Sequence, residues 1–519
     1  MAVPRPSPQP DPFEEPDRGL EQPPLPGVAE LAATLAEHPD TETHYPPSAH
    51  DRPGWHVRLF GSHEFFRLWL VQVISATGDW LAFSAIIVLA TKVGGGAGAG
   101  AVSLVMAARI VPGFLFGPIA GVLVDRWDRK KLMVTCNLGR AVIVGLLPFV
   151  DSVLMLVVAS LALEVMTLLW SPAKEAEVPN LVPHDHLTTA NSLSLAAAYG
   201  TFPFASALFA LLAGVSVWVG AVPGLGFLEN NQMALAFYVD VLALLVAAWM
   251  IHRLPLGGSR SASRPLDAAD AVEAERAVGA ALKATLADLA EGWREIAANH
   301  TIRAVNLGLA TGLIGGGMLI PLGAVFSTDV LGAGVAGYGV FTTALGFGVA
   351  VGAVGVSMLQ KRLPQARVFT AALVLAGVAL FAAASSSGLW MAAAFVALMG
   401  VCVGPVYVLG FSLLHQNVPD DLRGRVFSSL TTLVRLCVLV SMVAGPLLAA
   451  VLGRLSDALV GGEIDVLGLQ LAVPGVRLAL WLAAVIIVGA GFAAWASLRA
   501  GERVARARAS AHPSRHGRP

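Results

Sequence analysis

The sequence predicts an all-α membrane protein with twelve transmembrane helices, arranged as two six-helix bundles related by pseudo-symmetry. Composition is the first observation: 56% of the residues are hydrophobic, 13% are charged, and the mean hydropathy is +0.70. A soluble domain carries about 25% charged residues. The second observation is that apolar runs of about twenty residues recur along the chain, which is the length a helix needs to cross a bilayer. Because backbone polar groups in lipid must be paired internally, helix is the expected structure of every run.

Glycine, proline or polar turns separate the apolar runs. We place the twelve spans at 65–91, 98–124, 131–150, 153–177, 188–218, 231–252, 301–327, 336–360, 367–387, 389–416, 424–453 and 474–498. The segment before the first span is rich in proline and acids and has too little apolar surface to fold. The segment between spans 6 and 7 carries apolar residues at near-helical spacing, which is typical of an amphipathic helix at a membrane surface.

These boundaries predict five parts. They are a disordered tail (1–60), a first bundle (61–252), a linker with an amphipathic helix (253–300), a second bundle (301–499) and a basic tail (500–519).

The two bundles carry traces of a repeat at an offset of about 236 residues, which is expected of duplicated bundles. Phe66–Arg67 before span 1 matches Ile302–Arg303 before span 7, and Leu181–Pro183 matches Asn417–Pro419. Basic residues cluster at one set of loop ends, notably after spans 2, 8 and 12. Under the positive-inside rule, both termini are therefore predicted to be cytoplasmic.

The end of span 2 carries the most specific motif. Glycines recur every fourth residue at Gly113, Gly117 and Gly121, so one face of this helix lets another helix approach closely. The helix then breaks into a charged turn whose members are Asp125, Arg126, Arg129 and Lys130. The stretch from Gly121 to Lys131 resembles the signature that major facilitator superfamily transporters carry between their second and third helices.

Further stretches resemble one branch of that superfamily, the third drug:proton antiporter branch, which includes macrolide and siderophore exporters. They are Ser75–Trp80, Trp170–Pro183, Asp288–Arg294 and Val418–Val426. The resemblance implies a secondary transporter rather than an enzyme, with proton-coupled efflux of a hydrophobic or amphiphilic drug, antibiotic or siderophore by alternating access. Two alternatives stay open: a lysophospholipid flippase or uniporter, and a non-transporting membrane scaffold or sensor.

Charged residues inside apolar spans are costly and mark candidate functional sites. Five are singled out: Asp79, Arg109, Glu164, Asp240 and Arg435. At about 1.5 Å per helical residue, the first three lie roughly 20–24 Å along their helices, near the bilayer midplane. The resemblance implies that their helices border a central cavity. Two acids and one base would leave one carboxyl able to exchange a proton near neutral pH.

The alternative for this trio is a fixed Asp79–Arg109 pair with Glu164 facing water. Asp240 lies in span 6, which is peripheral in the family, so we predict a local hydrogen bond to a neighbouring helix, with a transport role as the alternative. Arg435 is either a structural anchor or a substrate contact.

A gate is predicted where span 2 meets span 11. A carboxylate near a helix N-terminus is favoured by the free N–H groups and the helix dipole, by about 0.3–1 kcal/mol. Asp125 is therefore expected to contact the start of span 11, where the second-half gate residues are Arg423, Gly424 and Arg425.

No phosphate loop, metal-ligand cluster or nucleophile–base set is visible in the sequence. We therefore expect no cofactor and no metal. The expected partners are a small-molecule substrate, protons and the lipid bilayer, without nucleic acid. A monomer in a bacterial plasma membrane is predicted.

Overall fold

The helices occupy almost all of the described chain. The computed structural model describes residues 55–124, 127–224, 226–256, 293–294, 297, 299–418, 420–460, 463–466, 469–472 and 474–511. The long helices in these ranges are α1 (His63–Gly94), α2 (Gly98–Val124), α3 (Arg129–Leu146), α4 (Val153–Leu181), α5 (Leu187–Gly200 and Phe202–Gly220), α6 (Ala234–Arg253), α7 (His300–Gly317 and Leu319–Val325), α8 (Gly334–Leu359), α9 (Gln365–Ser385), α10 (Leu389–Asn417), α11 (Asp420–Val460) and α12 (Gly475–Ala511).

The described helices are long and apolar enough to cross a bilayer. Eleven helical segments meet that condition within the described residues, and one of them, His63–Gly113, is 51 residues long. At 1.5 Å per residue such a segment measures about 75 Å, more than twice the roughly 30 Å hydrocarbon core. A single 3₁₀ turn at Gly95–Ala97 divides it, and Gly95 has a φ of 51°, a conformation open to glycine. The chain reverses there into α2, and the two predicted spans are confirmed as α1 and α2.

Local capping explains where several helices begin. Side-chain oxygens of Ser62, Asp128, Ser152 and Asn299 accept hydrogen bonds from backbone N–H groups two or three residues later. The distance is 3.0 Å for Ser62 and for Asp128. These caps satisfy N–H groups that the first helical turn leaves without partners.

The helix contacts form the same pattern twice. In the first half, α1 packs against α2, α5 and α6, while α3 packs against α4 and α6, and α2 against α4. In the second half, α7 packs against α11 and α12, α9 against α10 and α12, and α8 against α10. Each pair of the second list is the counterpart of a pair in the first when six is added to the helix number. The prediction of two related six-helix bundles is therefore confirmed, while their residue boundaries stay a prediction.

The halves meet chiefly through α5 against α8 and α2 against α11. A Cβ atom added to Gly339 of α8 would lie 2.7 Å from backbone atoms of Ala210, and one added to Gly346 would lie 2.9 Å from Pro203. Ser103 of α2 donates a hydrogen bond to the carbonyl of Val443 in α11. Small residues thus allow the two bundles to approach closely, as is usual where helices pack in lipid.

We use "terminal end" for the end of the helix array where α1 begins and α12 finishes, and "far end" for the opposite one. At the far end, a single buried cluster joins residues of the first half to Val335, Tyr338 and Met442 of the second. Nearer the terminal end, two buried clusters each contain residues of one half only.

Two predicted spans differ in detail from the structure. Span 5 was placed at 188–218 as one segment, and α5 is interrupted within it at Thr201, two residues before Pro203. Span 7 is interrupted at Met318 after a run of three glycines, and it ends in a π-turn, Phe326–Val330. Proline removes a backbone donor and glycine is a poor helix former, which accounts for both interruptions.

The ends of the bundles contain structure that the sequence did not predict. The last six residues of the predicted disordered tail, Trp55–Phe60, form a short helix whose Phe60 ring lies 5.0 Å from that of Trp69. The basic tail from residue 500 is helical as far as Ala511. An unpredicted antiparallel hairpin, Glu463–Val466 with Leu469–Ala472, connects α11 and α12. Most of the predicted linker helix lies outside the described residues.

Candidate functional site: a charged cluster beside an apolar cavity

The centre of the first bundle contains an ion pair between α1 and α3. Asp79 Oδ1 contacts Arg140 Nη2, and the side chains are 36% and 6% exposed respectively. Breaking a buried pair by removing one partner is costly, so this contact joins the two helices firmly. The alternative for the predicted trio, a fixed Asp79–Arg109 pair, is wrong, because Asp79 pairs with Arg140.

Asp240 of α6 is the most deeply buried acid of this region. It is 1% exposed, and neither of its carboxylate oxygens has a hydrogen-bond partner. Gly78 of α1 lies directly against it: a Cβ atom added to Gly78 would collide with Asp240 Oδ1 and lie 3.2 Å from the Cβ of Ala243. The predicted local hydrogen bond from Asp240 to a neighbouring helix is therefore wrong. This carboxyl lies against Gly78 of α1, and it interacts electrostatically with Arg140 and Arg109.

Arg109 and Glu164 complete the group. Arg109 interacts electrostatically with Glu164 and with Asp240, and its guanidinium lies 5.8 Å from the ring centre of Phe83. Glu164 Oε1 lies 3.6 Å from the position of a Cβ atom on Gly113. The glycine face of α2 therefore brings α4 close, as the spacing of the glycines indicated, and Glu164 is the side chain placed there.

These five residues form what we call the charged cluster: Asp79, Arg109, Arg140, Glu164 and Asp240. Arg140 interacts electrostatically with Asp240 and Glu164, so both arginines act on both acids. Three carboxyls and two guanidiniums leave one negative charge in excess when all are ionised. Since an unpaired charge is expensive in a low dielectric, binding one proton would neutralise the cluster.

The sequence reasoning missed Arg140. It is the twelfth residue of α3, inside the apolar run from Met133 to Leu146, and the intramembrane-charge rule that selected Asp79 would have selected it as well. Arg435, by contrast, is exposed on α11 and is not among the residues that line the cavity described below.

Basic residues of the span 2–3 motif bind within the first half. Arg129 lies 3.4 Å from Glu177 Oε1 of α4, a carboxylate that is almost fully buried. Lys130 Nζ donates to the carbonyl of Leu254, at the end of α6, at 2.8 Å. Both residues therefore tie the start of α3 to the terminal-end tips of α4 and α6, in addition to any role in topology.

The predicted gate is only partly described. Gly117 and Gly121 fall within α2, and Arg423, Gly424 and Arg425 fall within α11, which begins at Asp420 rather than at the predicted residue 424. Asp125 and Arg126 lie outside the described residues, so the contact of Asp125 with α11 stays a prediction.

A cavity of about 490 Å³ lies between the two halves, toward α7, α8 and α10. Its volume is typical of sites for small organic molecules. Representative lining residues are Tyr199, Phe204, Gly312, Gly316, Leu345, Phe347, Ala376, Met399, Tyr407 and Ile487. No Asp, Glu, Lys or Arg is among the described residues that line it, so the charged cluster and the cavity are separate features.

Aromatic residues line the side of the cavity formed by α5 and α8. The rings of Phe204 and Phe347 meet at 5.4 Å in a T-shaped arrangement, and both are exposed. Tyr199, one turn before Phe204, is 68% exposed. An apolar cavity with exposed aromatic side chains at its border can hold a hydrophobic or amphiphilic molecule.

Hydrogen bonds tie the charged helix α1 to α5, which borders the cavity. Trp80 Nε1, next to Asp79, donates to the carbonyl of Ala198 at 2.9 Å, and Gln72 Nε2 donates to that of Ser194 at 2.8 Å. The Trp80 ring also contacts Phe202, with ring centres 4.8 Å apart. A displacement of α1 at the charged cluster would thus also move α5, the helix that carries Tyr199 and Phe204.

Comparison with known proteins agrees with this architecture. An uncharacterized MFS-type transporter of Mycobacterium tuberculosis is 28% identical over 378 residues, covering 70% of this chain and 80% of that protein. Macrolide efflux protein A of Streptococcus pyogenes is 24% identical over 406 residues, covering 75% and 90%.

A solved structure has the same fold. It is the inward-facing, unoccupied form of a bacterial homolog to the human lysosomal transporter Spinster, with a TM-score of 0.63 at 16% identity, covering 85% of this chain and 98% of that one. The family model described as Major Facilitator Superfamily matches residues 68–357, more than half of the chain. Proteins of this kind move small molecules across a lipid bilayer and are not enzymes. The chain belongs to the major facilitator superfamily of membrane transporters.

Proposed function

We propose that this transporter exports a hydrophobic or amphiphilic small molecule, of the drug, antibiotic or siderophore kind, in exchange for protons. The observation that carries the proposal is that one molecule holds both an apolar cavity between the halves and, apart from it, a charged cluster with one carboxyl in excess. The cavity supplies a site for the substrate, and the cluster supplies a group that can bind a proton. The similarity to a macrolide efflux protein favours export as the direction.

Alternating access is the mechanism that this layout favours. The two halves contact each other chiefly at two helix pairs, α5 with α8 and α2 with α11, and small residues lie in the first of these. Rocking one bundle against the other would open the cavity first to one side and then to the other. We place the protein as a monomer in the bacterial plasma membrane with both termini in the cytoplasm, since basic residues concentrate at the terminal end.

A lysophospholipid transporter is the second candidate. The exposed aromatic residues beside the cavity, Tyr199, Phe204 and Phe347, favour it, because a lipid could reach the cavity from the bilayer along such a surface. A membrane scaffold or sensor has no comparable observation in its favour.

The test is transport in proteoliposomes with an imposed pH gradient. The panel contains macrolides, lipophilic dyes and a fluorescent lysophospholipid. The proposal expects gradient-driven movement of drugs or dyes, whereas movement of lysophospholipid without a pH dependence would favour the second candidate. No movement of any member by wild-type protein would contradict both.

Neutralising two acids of the cluster tests the coupling. An Asp79→Asn/Glu164→Gln variant keeps two arginines with a single acid, so Asp240 would stay ionised and the cluster could no longer bind its proton. We expect the stimulation by the pH gradient to be lost. The matched control is Asp151→Asn/Glu229→Gln, which removes two exposed charges. Full gradient-driven export by the first variant would contradict the proposed coupling.

A further inference from the structure

Among the three acids of the charged cluster, Asp240 differs in its contacts. Asp79 has a partner in Arg140, and Glu164 is partly exposed in the groove beside Gly113. Asp240 is 1% exposed, and both of its oxygens lack a donor. A buried carboxylate without hydrogen bonds is strongly unfavourable, and the neutral acid is much less so.

Few titratable side chains lie near Asp240 to compensate a negative charge on its carboxylate. The titratable side chains that act on it are Arg140 of α3 and Arg109 of α2. Arg140 also pairs with Asp79 of α1, and both arginines act on Glu164 of α4. α5, which also packs against α6, carries no acidic or basic residue between Leu187 and Gly220. The excess negative charge of the cluster must therefore be removed on one of three carboxyls, and Asp240 is the one that is fully buried with no hydrogen-bond donor to either oxygen.

Arg140 also has a hydrogen-bond donor that is not used. Its Nη2 contacts Asp79, while its Nη1 is buried without an acceptor. Arg140 interacts electrostatically with Asp240, across the packed pair α3 and α6. A charge appearing on Asp240 would therefore act directly on the group that holds α1 to α3.

We propose that Asp240 is the proton-binding site of this protein, occupied by a proton while Arg140 is paired with Asp79. This inference rests on the proposed proton coupling and names the residue that performs it. The proton comes from water on one side of the membrane, converts the carboxylate to a carboxylic acid, and returns to water on the other side. Substrate need not contact Asp240, because the cavity lies in a different part of the molecule.

Infrared difference spectroscopy of the purified protein in lipid tests the assignment without depending on transport. A protonated carboxyl has a C=O stretching band that an ionised one lacks, and we expect a buried carboxyl to give this band at neutral pH. Aspartate labelled with ¹³C at its side-chain carboxyl should shift the band, which excludes Glu164. In Asp79→Glu, the band should still shift on aspartate labelling, because Asp240 is unchanged. A band that no longer shifts in Asp79→Glu, or that never shifts, would overturn the proposal.

The second arm uses Asp240→Asn, with Asp151→Asn as the control at an exposed loop position. We expect Asp240→Asn to lose the band and the stimulation of transport by a pH gradient, while Asp151→Asn keeps both. Should wild-type transport not respond to the gradient, the proposed coupling fails, yet an aspartate band retained in Asp79→Glu would still support Asp240 as a proton site. Retention of the band and of the stimulation in Asp240→Asn would refute it.

Discussion

Arg140 interacts with two aspartates that belong to different helices. It pairs with Asp79 of α1 and acts on Asp240 of α6. Because α3 packs against α6 and α1 packs against α6 as well, this one guanidinium lies where three helices meet. Stability and proton binding are therefore expected to depend on the same side chain.

Replacing Arg140 by Gln should destabilise the protein by about 1–3 kcal/mol, because Asp79, which is partly exposed, loses its charged partner and the cluster gains negative charge. The measurement is thermal unfolding of purified protein in detergent. Arg454→Gln, at an exposed position, is the control and should unfold like the wild type. Adding Asp79→Asn to Arg140→Gln should recover part of the loss, and a double variant that is less stable than Arg140→Gln would argue against the pair.

At the scale of helices, the structure depends on glycine positions that the apolar pattern alone does not explain. Gly78 accommodates Asp240, Gly113 accommodates Glu164, and Gly339 accommodates the backbone of α5. The sequence marked the glycine stripe of α2 as a packing face, and α4 does lie beside Gly113, with Glu164 Oε1 3.6 Å from a Cβ position there. Which helix each glycine meets could not be predicted from spacing, because spacing defines a face of one helix and not its neighbour.

The α5–α8 contact gives a direct test of helix packing. Gly339→Leu would place a side chain within 2.7 Å of Ala210, so the two halves must separate at the far end. Overpacking destabilises a packed contact by about 1–3 kcal/mol. Because the packed arrangement of the two halves becomes less favourable, we expect the transport rate to fall about tenfold. Gly355→Leu on the same helix is the control, since no neighbouring atom lies within 4 Å of its Cβ position. Equal transport by the two variants would show that this contact is not needed.

For the whole molecule, the two halves differ at equivalent positions: the first half carries charged side chains where the second carries apolar ones. At the repeat offset of about 236 residues, Arg109 and Arg140 correspond to Leu345 and Ala376, both of which line the cavity. Two of the five positions that hold the charged cluster in the first half thus border the apolar cavity in the second. We infer that one half handles the proton and the other contributes most of the substrate site.

This division predicts that substrate binding can be removed without affecting the proton site. Gly316→Phe should fill part of the 490 Å³ cavity, because the nearest atom to its Cβ position, the Met399 methyl, lies at 3.6 Å. We expect loss of substrate binding, measured by fluorescence titration with a transported dye, and an unchanged carboxyl band. Gly489→Phe, at an open position on α12, should bind dye normally. Loss of the band in Gly316→Phe would show that the two sites are not separate.

The sequence by itself determined the membrane class, the number of crossings, the duplicated plan and three residues of the charged cluster. These follow from local properties: lipid requires long apolar helices, and a charge inside such a helix is visible as an exception. It also flagged Asp240, but gave it a structural role.

Only the tertiary structure decided how the charges pair. Asp79 meets Arg140 rather than Arg109, Asp240 is left without a hydrogen bond, and the cavity is lined by α5 together with helices of the second half. Pairing between helices depends on their rotation and crossing angle, which the packing of all their neighbours sets together. No single helix sequence contains that information.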